Sequence, residues 1–80
     1  NDPARWQCYI LDALIPCWRA SGRGIVLNLL CTGIPTIRNH IYYASRDSMV
    51  AALETRFGDV IWHPTRQVKH DVTFLVTRRS

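Results

Sequence analysis

Residues 22–79 constrain the fold of this chain most, because strand and helix signals follow one another there in an order that suits an α/β layer. Gly24 opens a nearly unbroken apolar run, Ile25 to Cys31, interrupted only by Asn28. Its length suits a strand, and its continuity predicts one covered on both faces. Ser45 then stands as an N-cap before a helix whose face carries Met49, Val50, Leu53 and Phe57, with Gly58 just past its end. Two β-rich segments close the chain. Val60 to His63 ends at Pro64, and in Asp71 to Thr77 the residues Val72, Phe74 and Val76 alternate with Thr73, Leu75 and Thr77. The two segments are able to pair as a hairpin around the polar stretch Thr65 to His70.

Ahead of this unit, Asp2 and Pro3 form a helix start. Trp6, Ile10, Ala13, Leu14, Cys17 and Trp18 then share one face of an amphipathic helix that reaches about Ala20. Pro16 has no N–H to donate to the Asp12 carbonyl and is expected to kink or end that helix, with Ser21 and Gly22 completing the stop. Thr32 to Ala44 carries weaker signals. Gly33 and Pro35 mark a loop, Ile37, Ile41 and Tyr42 suit a short helix or a short strand, and an irregular segment with a helical turn is expected.

Eighty residues allow one domain, or a fragment of a larger one, near the size where a single core is only marginally stable. The sole methionine is Met49, so the reading expects a segment ahead of Asn1. No apolar run reaches the roughly 18–20 residues that cross a bilayer, and a soluble chain is expected. Cys8, Cys17 and Cys31 form no Cys-x-x-Cys pair, and no His–Cys spacing suits a zinc finger. No metal site is expected, and free thiols suit a reducing, cytoplasmic compartment. The net charge of +4 comes from arginine almost alone, Lys69 being the one lysine, and the arginine fork suits phosphate.

In order, an N-terminal helix, Gly22-Arg23-Gly24-Ile25-Val26-Leu27-Asn28, Leu53-Glu54-Thr55-Arg56-Phe57-Gly58-Asp59-Val60, His63-Pro64-Thr65-Arg66 and Asp71-Val72-Thr73-Phe74-Leu75-Val76 together resemble the C-terminal half of the FtsJ-type RNA ribose 2′-O-methyltransferases. That family includes bacterial ribosomal RNA enzymes and viral cap methyltransferases. The resemblance covers about three quarters of the chain and rests on element order and short patterns. It implies a helix-strand-helix-strand-strand order, the second half of a Rossmann-like methyltransferase sheet.

In such enzymes a glycine-led strand carries a catalytic lysine and the last strand begins near a catalytic glutamate, both from a Lys-Asp-Lys-Glu tetrad. Here those positions fall on Asn28 and Asp71. An amide has no useful basicity, and aspartate is one methylene shorter than glutamate. The resemblance therefore implies an RNA-associated segment that is inactive on its own. Arg66, Lys69, Arg78 and Arg79 stand as RNA-binding candidates around the final strands, near His63 and His70.

S-adenosylmethionine is implied only for an N-terminal half. Gly22-Arg23-Gly24 follows a helix and opens a strand, the reverse of a dinucleotide-binding turn, and no cofactor is expected in this chain. The implied partners are RNA and a preceding segment or larger protein, with no membrane. The residues also suit two alternatives. One is a small winged-helix nucleic-acid-binding module, with the Ser45 to Phe57 helix, carrying Arg46 and Arg56, as reader and Thr65 to His70 as wing. The other is a structural interaction module that docks through an exposed sheet edge.

Overall fold

The computed structural model describes residues 2–79. The chain runs α1 (Pro3–Ala20), β1 (Gly24–Thr32), β2 (Thr36–Arg38), β3 (Ile41–Ser45), α2 (Arg46–Arg56), β4 (Asp59–Pro64) and β5 (Asp71–Thr77). The strands form one mixed sheet in the order β2-β3-β1-β5-β4. β1 and β3 are parallel, and every other neighbouring pair is antiparallel. The fold is α/β, as the element pattern implies.

α1 starts as expected, the Asp2 carboxylate accepting a hydrogen bond from the Ala4 N–H and Pro3 opening the first turn. It does not stop at Pro16. Both Asp12 and Pro16 are exposed, so water can satisfy the Asp12 carbonyl that the proline leaves without a donor, and the helix continues to Ala20. The buried face is also rotated from the expected stripe. Leu11 is buried, with Leu14 and Trp18 packed beside it at helical spacing, while Ala13 and Cys17 face solvent and Trp6 is 42% exposed.

Thr32 to Ala44 is the clearest departure from the sequence reading. β2 and β3 form a hairpin there, pairing Thr36 with Tyr43 and Arg38 with Ile41. Its two loop residues, Asn39 and His40, have φ of 50° and 65°. A type I′ hairpin turn needs positive φ at both central positions, and asparagine is among the side chains that tolerate it. The chain thus has two more strands than expected, and β3 passes straight into α2 through Ser45, whose hydroxyl accepts from the Ser48 N–H.

Both helices pack on one face of the sheet. Leu11 of α1 and Met49 and Leu53 of α2 meet Cys31, Ala44, Val72, Phe74 and Val76, with Ile25, Leu27 and Leu29 alongside. The other face is open: Val26 is 63%, Ile61 54% and Leu75 37% exposed. β1 is therefore covered on one face and not on two, because no element among the described residues crosses the second. Val26, Leu75 and Ile61 lie side by side across β1, β5 and β4 as an uncovered apolar row.

Two glycines allow the sheet its closest approaches. A Cβ on Gly24 would be driven into the Val76 carbonyl oxygen, and one on Gly58 into that of Thr77. Gly58 follows the Phe57 cap as expected, yet it has no positive φ. Its requirement is space beside β5. At the same end, Arg78 closes α1 by donating to the Trp18 and Ser21 carbonyls while its guanidinium lies 4.3 Å from the centroid of the Trp18 ring.

Gly24→Ala is expected to lose about 1–3 kcal/mol of stability by overpacking, whereas Gly22→Ala, with nothing within 4 Å of its added methyl, should change it by less than about 0.5 kcal/mol. Urea denaturation of the two variants checks the contrast.

Candidate nucleic-acid interface

The antiparallel register of β1 and β5 sets Asn28 opposite Thr73 and Leu30 opposite Asp71. Asn28 and Asp71, separated by 43 residues in sequence, are thereby in contact. The Asn28 amide donates from Nδ2 to Asp71 Oδ2 at 3.2 Å and to Thr73 Oγ1 at 2.9 Å. The Thr65 hydroxyl donates to the same Asp71 oxygen at 2.7 Å. Both amide protons of Asn28 are engaged, so Asn28 Oδ1 and Asp71 Oδ1 are the oxygens left to accept from a hydroxyl. His63 pairs with Thr73 and continues this polar row on β4.

Next to the row, at the ends of the parallel strands β1 and β3, lies a cleft of about 730 Å³. Arg38 from β2, Arg46 from the first turn of α2, and Lys69 and His70 from the β4–β5 loop all line it, as does Asp71. Arg46 lies 4.1 Å from the Trp62 ring centroid and pairs with Asp47 at 3.0 Å. Tyr43 stands between Arg38, 5.8 Å from its ring centroid, and His70, whose ring meets it edge-on at 6.1 Å. His70 adopts φ of 69°, the left-handed kink that turns the loop into β5.

The four basic candidates divide between the two ends of the sheet. Arg66 and Lys69 are exposed on the loop beside Asp71. Arg78 closes α1, and Arg79 donates to Asp59 at 3.2 Å and to the Glu54 carbonyl at 2.9 Å, so both serve helix ends beyond the far end of β5. Arg38 escaped the sequence reading because its strand did; the signal for it was Asn39, which marks the turn. The two arginines of the winged-helix alternative are occupied within the chain, Arg46 by Asp47 and Trp62, and Arg56 by Asp12 at 3.2 Å.

Gly24 is committed to the approach of β5, and the one strand-to-helix junction among the described residues, Ala44-Ser45-Arg46, has no glycine. Among the described residues no three His, Cys, Asp or Glu side chains are grouped to hold a metal, and no helix is long and apolar enough to cross a membrane. Comparisons with protein-family models, curated proteins and solved structures found no match.

All three cysteines are free, and they differ chemically. Cys31 lies at the inner wall of the cleft, where burial pushes its thiol pKa up to about 11 against a smaller opposing pull from Arg46. Cys8 and Cys17 are exposed on α1. Since the thiolate is the reactive form, a brief iodoacetamide pulse at neutral pH should label Cys8 and Cys17 and spare Cys31 until the chain is unfolded. Mass spectrometry of the peptides checks this.

Proposed function

We propose that this chain is an RNA-binding segment built like the closing half of a ribose 2′-O-methyltransferase, holding a ribose hydroxyl without activating it. The observation that carries the reading is the hydrogen bond between Asn28 and Asp71. The resemblance places its lysine and glutamate at these two positions, and they meet across the sheet.

Asn28 Oδ1 or Asp71 Oδ1 accepts the single proton of a ribose hydroxyl, and Arg66 and Lys69 on the adjacent loop bind its phosphates. The Asn28 amide cannot take the hydroxyl proton as a lysine amine would, because an amide is no general base and its N–H groups are already spent on Asp71 and Thr73. Methyl transfer belongs to a larger assembly whose other half brings S-adenosylmethionine. Recognition of a 2′-hydroxyl is the feature that separates RNA from DNA at such a site.

The uncovered row of Val26, Leu75 and Ile61 favours a further role as an interaction module. It is an apolar strip on an open sheet face, and a larger protein that covered it would stabilise the chain.

Fluorescence anisotropy with matched single strands tests the main reading. RNA should bind roughly tenfold tighter than DNA of the same sequence, the equivalent of one or two hydrogen bonds. Asn28→Ala should erase that preference while leaving DNA affinity unchanged, and Arg66→Ala should weaken both strands together and flatten their salt dependence. Equal affinity of the unaltered chain for RNA and DNA contradicts the reading.

A further inference from the structure

We propose that the free edge of β4 pairs with β4 of a second copy of this chain, antiparallel about a two-fold axis at Ile61, and joins two five-stranded sheets into one. Among the described residues no strand lies beyond β4. The two edges of the sheet are unlike. β2 is three residues long and ends in Arg38, and both shortness and charge blunt an edge. β4 runs six residues in unbroken register with β5, carries no lysine or arginine, and is exposed at every residue except the half-buried Val60.

The backbone of β4 is open as well. The Thr65 N–H donates to the Asp71 carbonyl and the Arg78 N–H to that of Arg23, which fixes the phase of the ladders on both sides of β5. Asp59, Ile61 and His63 therefore turn their backbone groups to β5, and Val60 and Trp62 turn theirs outward. A two-fold axis normal to the sheet sets β4 against itself with one residue on the axis. Centred on Ile61, it gives Val60 and Trp62 of the two copies reciprocal N–H to C=O bonds. Centred on Trp62, it would bring Pro64, which has no N–H, into the ladder opposite Val60. Ile61 is the centre that uses both outward residues and leaves Pro64 outside.

The side chains fit that register. Ile61, 54% exposed, meets Ile61 of the second copy at the closely spaced, non-hydrogen-bonded position. On the helix face Val60 meets Trp62, a β-branched and aromatic pair. On the open face Asp59 meets His63. Arg79 occupies Asp59 Oδ1, so Oδ2 is the oxygen that accepts from the imidazole N–H. Such self-complementarity is what a two-fold dimer requires.

Sedimentation equilibrium tests the proposal. Between about 10 μM and about 1 mM, the range of small transient interfaces, the mean mass should rise reversibly from 9.2 kDa toward twice that value. Ile61→Lys sets two ammonium groups face to face on the axis and should return the chain to monomer, whereas Val26→Lys, in the same row but away from the edge, should leave the dimer intact. Hydrogen exchange by NMR reads the pairing in the unaltered chain: with rising concentration the Val60 and Trp62 amides should slow about tenfold, and those of Ile61 and His63, already bonded to β5, far less. A monomer throughout the range overturns the proposal, as does a dimer that persists in Ile61→Lys. A dimer lost in both lysine variants is two sheets packed face to face and overturns it, and a dimer whose Val60 and Trp62 amides exchange as fast as in the monomer overturns it too.

Discussion

The antiparallel ladder between β1 and β5 is the constraint on which the rest of the molecule depends. It pairs seven residues on each strand, from Gly24 with Thr77 to Leu30 with Asp71. Its register puts Phe74 and Val76 into the core and Thr73 and Asp71 onto the opposite side, beside Asn28. Because side chains alternate with a period of two, a slip of one residue would expel Phe74 and Val76 and separate the Asn28 network at the same time. Core and site are therefore specified by one set of backbone hydrogen bonds. Gly24 is where the ladder leaves no room for a side chain.

The sheet is asymmetric in two senses. Across its thickness, both helices occupy one face and leave the Val26, Leu75 and Ile61 row uncovered. Along its strands, the basic residues divide by task. At the end where β5 finishes, Arg78 and Arg79 satisfy helix carbonyls and anchor α1 and α2 to the final strand. At the end where β5 begins, Arg38 and Lys69 have no carboxylate partner among the described residues and face a cleft. Net charge alone does not reveal this division, since arginine closes a helix at one end and stands without a carboxylate partner among the described residues at the other.

How much of this was legible in the sequence follows from which signals were local. Ser45 and Gly58 bracket α2 because capping chemistry is written within one helical turn. β4 and β5 were legible from β-rich runs and the break at Pro64. Two features were not. The β2–β3 hairpin rests on a two-residue turn whose only local mark is Asn39, and Gly33 and Pro35 masked it with loop signals. Coverage of β1 on one face depends on where distant helices pack, and an apolar run does not encode that. Asn28 and Asp71 were named as positions, but their contact across 43 residues exists only once the register is set.

The central claim, that Asn28 and Asp71 together hold a ribose hydroxyl, is tested most directly by following the Asn28 side-chain amide by NMR while single-stranded RNA is titrated into the labelled chain. The account predicts that its Nδ2 resonance moves and saturates with RNA and stays in place with DNA of the same sequence. Shifts confined to the Thr65 to His70 loop, with the Asn28 amide unmoved by RNA, would contradict it.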